Sequence, residues 1–118
     1  MKDQRRKADR RGRRAENLAA WYLRLKGWRI LGKRLKTPRG EVDLVARRGG
    51  TVCFVEVKWR ETALQLDVAI DERRLSRVAA AAEVLAPRFV KPGNLQRIDV
   101  LLLAPGRFPR HIVNAWMP

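Results

Sequence analysis

Apolar positions along the chain change period several times, and each change marks an element. Between residues 12 and 26, Ala15, Leu18, Ala19, Tyr22 and Leu25 recur every three or four positions, which predicts a helix with that stripe against the core. Gly27 is a fitting stop. Residues 28–35 read as a short strand, and Thr37-Pro38-Arg39-Gly40 as the turn into a second strand over residues 41–47. Arg48-Gly49-Gly50 reverses the chain into a third strand, residues 51–59. A loop over residues 60–68 precedes a helix from Asp71, a good N-cap, to about Ala86, with Leu75, Val78, Ala79, Ala82 and Leu85 inward and Pro87 past its end. Lys91-Pro92-Gly93-Asn94 turns into residues 96–103, whose run Val100-Leu101-Leu102-Leu103 suggests a central strand covered on both sides. Pro105-Gly106 leads to a last strand, residues 110–116. The order αβββαββ predicts an α/β fold: a three-stranded antiparallel start, a helical crossover to a further strand, and a mixed sheet flanked by helices.

Two of these strands carry charges among the most apolar residues of the chain. With the two-residue period of a strand, Glu41, Asp43 and Val45 share one face and Val42, Leu44 and Ala46 the other. In the next strand Val52, Phe54, Glu56 and Lys58 share a face, and Cys53, Val55, Val57 and Trp59 the opposite one. Burying an unpartnered carboxylate costs several kcal/mol or more, comparable with the stability margin of a whole domain. Something must hold these charges, and a metal ion is a natural candidate.

The chain of 118 residues is long enough for one core, and 46% hydrophobic residues suit a globular body. Its 27 Lys and Arg against 12 acids give a net charge of +15, which points to a polyanionic partner, nucleic acid before an anionic membrane surface. Residues 1–14 alone carry eight basic and two acidic residues and read as a flexible basic arm preceding a single domain over 15–118. No run approaches the roughly 18 apolar residues of a membrane span, and residues 18–25 are too short and interrupted for a secretory signal, so a cytoplasmic location is expected. A single cysteine, Cys53, rules out a disulfide framework and a Cys-rich zinc site, and a single histidine, His111, argues against His-dependent metal clusters and a Ser-His-Asp triad.

A helix, an acid on one strand and Glu-x-Lys on the next (Asp43, then Glu56-Val57-Lys58) match the restriction-endonuclease-like superfamily of PD-(D/E)XK nucleases. More closely, Gly12-Arg13-Arg14-Ala15-Glu16, Tyr22-Leu23, Gly40-Glu41-Val42-Asp43-Leu44-Val45-Ala46, Phe54-Val55-Glu56-Val57-Lys58, Arg97-Ile98-Asp99-Val100 and Asn114-Ala115-Trp116 resemble the small bacterial YraN family. The resemblance covers nearly everything after the arm. Ala15 stands where that family usually has Gly, Arg34 where Asn is common, and Arg74 where Lys is frequent.

The resemblance implies a metal-dependent endonuclease that hydrolyses phosphodiester bonds, DNA being the expected substrate and structure mattering more than sequence. Such hydrolysis needs an activated water and neutralisation of the charge that gathers on phosphorus, which hard oxygen ligands achieve by holding Mg²⁺ or Mn²⁺. Asp43 and Glu56 would bind the metal, joined by the Val57 carbonyl. Lys58 would orient the water or steady the transition state, and Glu16 would complete the catalytic set from the helix. Glu41 would support Asp43 from the shared face. Arg13, Arg14, Arg60, Arg73, Arg74 and Arg77 are candidates for phosphate contact. A homodimer is implied by the resemblance alone.

Blander readings stand beside these. Glu56 and Lys58 alone would more often be a structural same-face pair with an arginine neighbour, and Glu16 could simply pair with the basic stretch around Arg13. Asp99 reads as structural, paired with Arg97 or at a strand end; Trp21, Trp28, Trp59 and Trp116 read as core or rim. His111 shows no partner. The competing functions are a nucleic-acid-binding module that does not cut, and an RNA- or ribosome-associated protein working through its arm. The intact set Asp43, Glu56 and Lys58 argues against both, because a pure binder gains nothing from acids facing phosphates.

Overall fold

The computed structural model describes residues 2–60 and 72–116, with side chains from Gly12 onward. Helix α1 (Lys2–Leu25) leads into strands β1 (Arg29–Thr37), β2 (Gly40–Arg48) and β3 (Thr51–Trp59); helix α2 (Glu72–Phe89) then precedes β4 (Leu95–Leu103) and β5 (Arg110–Ile112). The five strands form one sheet in chain order, antiparallel throughout except where β4 joins β3 in parallel. The connection through α2 is what permits that parallel pair, since a tight turn can only produce an antiparallel one.

The sheet splits the apolar residues into two cores. Under α2 lie Val42, Val45, Val52, Phe54, Ile98, Val100 and Leu102, met by Leu75, Val78, Ala81, Ala82 and Leu85 of the helix. Under α1 lie Leu44, Ala46, Cys53, Val55, Leu101, Leu103 and Trp28, met by Ala15, Ala19, Ala20 and Leu23. Covered on both sides, β3 and β4 are the most deeply buried strands, as the apolar run of β4 suggested.

Several elements depart from their expected form. The buried stripe of α1 is Ala15, Ala19, Ala20 and Leu23, while Leu18 and Leu25 are exposed and Tyr22 is half-buried. Three alanines let the helix backbone sit close to the sheet, a separation that the larger leucines would prevent. The helix also runs back to Lys2 through the basic segment expected as an arm, whose Lys and Arg are good helix formers and which contains no proline. Pro87 lies inside α2 near its end, and Val90 N–H still closes on the Ala86 carbonyl at 2.7 Å. The Asp71 cap and most of the expected loop fall outside the described residues. β5 stops at Ile112, because the chain turns at Asn114 (φ 54°). Of the tryptophans, Trp28 is buried between the guanidiniums of Arg48 and Arg97, Trp59 and Trp116 are half-buried, and Trp21 is exposed.

That turn at Asn114 is held by the most completely satisfied charge among the described residues. Asp99, fully buried on β4, accepts from His111 Nε2 (2.7 Å), the Asn114 N–H (2.9 Å), Arg97 Nε (3.0 Å) and the Cys53 thiol (3.3 Å). His111, without a visible partner in the sequence, therefore has one across the β4–β5 pair. Burial opposes ionisation of Asp99, but the bonds from His111, Arg97, Asn114 and Cys53 outweigh it and hold the carboxyl at about 2. The same surroundings push the Cys53 thiol up to about 12, chiefly by burial and then by the Asp99 charge, which leaves it inert at neutral pH.

A folded-state value below the unfolded one stabilises the fold above roughly pH 4, and the effect is lost as pH falls through about 2. Asp99→Asn is expected to lower the unfolding free energy at pH 7 by about 3 kcal/mol, leaving Arg97 and His111 short of an acceptor. The deficit should shrink steadily between pH 4 and pH 2. Urea titrations across that range check it, and a pH-independent deficit would exclude the charge as its cause.

Candidate active site

Between β2 and β3 the hydrogen-bonded ladder runs from Arg48↔Thr51 to Leu44↔Val55 and then ends. Beyond it, the Val57 N–H donates to the carboxylate of Asp43 at 2.7 Å instead of to a backbone carbonyl. The strands part around an inserted side chain. In an extended strand the N–H and C=O of one residue leave by the same edge, so the Val57 carbonyl also faces this gap. The alternation of β2 changes here too: Val42 packs under α2 with Val45, whereas Leu44 and Ala46 pack under α1. Strict alternation, with Val45 beside Asp43 and Val42 beside Leu44, is thus corrected; the crossover falls at Asp43 because its side chain reaches across to β3.

Two carboxylates, Asp43 and Glu56, adjoin at the gap, and the charge of a third, Glu16, reaches Asp43 from farther off. Glu56 stands on the α2 face of β3, 3% exposed, close enough for its charge to act strongly on Asp43. Glu16 approaches from α1, close enough for its charge to act on Asp43. The rotation of α1 onto its alanine stripe brings Glu16 there, since Glu16 sits beside Ala15 and one turn before Ala19 and Ala20. Burial, then the Glu56 charge, and more weakly Glu16, push Asp43 up to about 7, and the Val57 N–H offsets this only in part. Each flanking acid holds an arginine. Glu56 Oε1 accepts from Arg74 Nε of α2 at 2.7 Å, and Glu16 pairs with Arg34 of β1. Lys58 is buried on the same face as Glu56, one strand period on.

Among the described residues no three His, Cys, Asp or Glu side chains form a ready-made metal cluster. The donors at the gap are two carboxylates and a main-chain carbonyl. That all-oxygen set, with water completing the shell, suits Mg²⁺ or Mn²⁺, and a cation would relieve the repulsion that now suppresses ionisation of Asp43.

A cleft of about 810 Å³ opens beside Glu56, walled by Lys36 at the end of β1, Arg39 of the β1–β2 turn, and Arg73, Arg74 and Arg77 of α2. The turn can approach α2 only because Gly40 has no side chain: a Cβ there would stand 2.6 Å from the Arg77 carbonyl oxygen, at a φ of +154°. Glu41 is exposed on the cleft wall. Of the expected phosphate contacts, Arg73, Arg74 and Arg77 line the cleft, whereas Arg13 and Arg14 are on α1, across the sheet. Arg60 lies outside the cleft lining, its guanidinium donating to the Trp59 carbonyl at 2.9 Å. Sequence reasoning missed Lys36 and Arg39. Their signal was a run of basic residues leading into a Pro-Arg-Gly turn, which could have marked the hairpin as a positively charged lip.

Helix, sheet order and parted strands together are those of the restriction-endonuclease-like fold. A solved structure of Hjc from Archaeoglobus fulgidus, a Holliday junction resolvase, matches with a TM-score of 0.60 at 21% identity, over 85% of this chain and 73% of that one. At that identity the likeness is one of fold. The chain itself belongs to the uncharacterised protein family UPF0102, the YraN family, whose sequence model matches residues 15–103. Relatives named UPF0102 protein occur in Sphingopyxis alaskensis, 68% identical over 94% of this chain and 96% of the relative, and in Erythrobacter litoralis, 65% identical over the same shares.

Because Asp43 is held above its unfolded value, its ionisation destabilises the fold progressively from about pH 4 and fully only above pH 7. Asp43→Asn keeps an acceptor for the Val57 N–H and removes the charge. In the absence of divalent cations it should be more stable than the parent at pH 8 by about 1–2 kcal/mol, allowing for partial exposure, with the difference smaller at pH 5. Urea unfolding at the two pH values measures this; a variant weaker than the parent at pH 8 contradicts the repulsion described.

Proposed function

We propose that this protein is a metal-dependent endonuclease acting on DNA, selecting its substrate by structure more than by sequence. The observation that carries this reading is the approach of Asp43 and Glu56 in the β2–β3 gap, where the Val57 N–H meets Asp43, beside a cleft with basic residues in its wall. Asp43 and Glu56, with that carbonyl, would hold Mg²⁺ or Mn²⁺, which when bound supplies charge neutralisation at phosphorus and a more acidic water. Lys36, Arg39, Arg73 and Arg77 would grip the phosphates on either side of the scissile one. Lys58, buried one strand period beyond Glu56, would orient the attacking water or donate to the phosphoryl oxygens as negative charge builds. Glu16 would act from the opposite face, through Asp43 or through water. The fold shared with a protein named as a Holliday junction resolvase supports branched DNA as the first substrate to try.

One observation favours a non-catalytic nucleic-acid-binding module instead: both acids beside Asp43 are already engaged by arginines, a state that needs no metal. Incubation with supercoiled, single-stranded and branched DNA and with RNA, in Mg²⁺, Mn²⁺ or EDTA, separates the two. The nuclease reading expects cutting only with metal, reduced at least about a hundredfold in Glu56→Ala and in Lys58→Ala, with binding retained. Equal binding and no cutting by parent and variants in any condition would establish the module.

A further inference from the structure

The engaged state of Glu56 is the feature that nuclease chemistry leaves unexplained. Glu56 is 3% exposed and its partner Arg74 is 59% exposed, so the ion pair joins a fixed carboxylate to a head group with freedom to move. Arg74 approaches from α2, and its side chain lines the same cleft as Lys36, Arg39, Arg73 and Arg77. The second arginine at the site, Arg34, pairs with Glu16 but is not part of that cleft wall. Of the two, Arg74 alone can therefore turn from an acid of the site toward a strand in the cleft without leaving its pocket.

We infer that Arg74 is an exchangeable counter-ion: it neutralises Glu56 before a divalent cation binds, and on displacement by that cation it becomes a phosphate contact in the cleft. The inference rests on the metal-dependent reading above. A guanidinium and a divalent cation on one carboxylate beside Asp43 compete for it, because their mutual repulsion at such separation is appreciable even in water. Displacement sets the arginine free where a phosphate needs a partner, and its planar fork suits phosphate oxygens. Metal binding and nucleic-acid grip are thereby linked: each favours the arrangement the other requires. The linkage also blunts futile chemistry, since without a strand the arginine competes with the metal.

Two measurements on the full chain test this. By titration calorimetry with MgCl₂ alone, Arg74→Gln should bind Mg²⁺ about tenfold more tightly than the parent, because a competing positive charge has gone. In a Lys58→Ala background, which prevents cutting, the affinity for a branched DNA is then measured against salt, with Mg²⁺ and with EDTA. With Arg74 present, Mg²⁺ should steepen the dependence of log K on log salt by about one phosphate contact relative to the matching Arg74→Gln change. Mg²⁺ affinity unchanged or weaker in Arg74→Gln would show that the arginine merely braces Glu56, and would overturn the exchange. So would a slope difference between the chain with Arg74 and the Arg74→Gln variant that is the same in Mg²⁺ and EDTA, the mark of a fixed contact. Should neither form bind Mg²⁺, both this inference and the metal-dependent reading fall; equal binding by both removes the inference alone.

Discussion

A single hydrogen bond, from the Val57 N–H to the Asp43 carboxylate, decides the character of this sheet. A regular antiparallel pair would direct that N–H to a carbonyl of β2 and close the strands together. Placing a side-chain acceptor there keeps the buried N–H satisfied while the strands diverge, so the gap does not leave an orphaned backbone donor. Divergence in turn exposes the edge of Val57 and admits the carboxylates of Glu56 and Glu16 from opposite faces. The opening is made from the bonds that elsewhere hold the sheet together.

Asp99, buried, and Asp43, half-buried, show how differently one sheet can treat the same group. Asp99 lies beside Val55 in the parallel β3–β4 ladder and is met by donors only, from Arg97, His111, Asn114 and Cys53. It ties β5 and the following turn to the central strands. Asp43 is met by one backbone donor and two further acids, so its charge is hard to maintain. The first arrangement stabilises the fold, whereas the second weakens it wherever Asp43 is ionised.

Much of this was legible in the sequence because β3 alternates cleanly and turn chemistry brackets it: the expected and observed limits of that strand coincide, and Glu56 and Lys58 share the anticipated face. The order of elements followed from the same signals. Other features were hidden for physical reasons. In α1, Ala15 and Ala19 of the expected stripe are buried, but close packing selected Ala20 and Leu23 in place of Leu18 and Leu25, and no periodicity count weighs small against large. In β2, the reversal at Asp43 depends on a side chain bonding a neighbouring strand, which local alternation cannot contain. The hold of His111 on Asp99 joins residues twelve apart through strand pairing, and neither stands out alone. The arginine partners of Glu16 and Glu56 come from β1 and α2, eighteen positions away in each case, so only the assembled fold brings them together.

Charge also needs to be placed before it can be interpreted. A net +15 would draw any polyanion, yet the arginines of α1 and those of α2 stand on opposite sides of the sheet and cannot serve one site in the same way. The cleft beside Glu56 has a narrower chemistry. Its described lining is polar and rich in basic side chains, with Glu41 and Glu56 as the acids, and includes no aromatic ring on which an unstacked base could rest. Binding there would depend on phosphates and on the path of the backbone, with little purchase on base identity. Under the nuclease reading, a duplex whose strands change direction would offer phosphates from more than one arm to such a wall, whereas a lone flexible strand would offer the same charge without the geometry. Gly40 fixes how closely the two walls approach, because the hairpin backbone rests against the Arg77 carbonyl. Selection by shape would accordingly reside in the distance between a turn and a helix, a quantity set by backbone packing and not by any one contact.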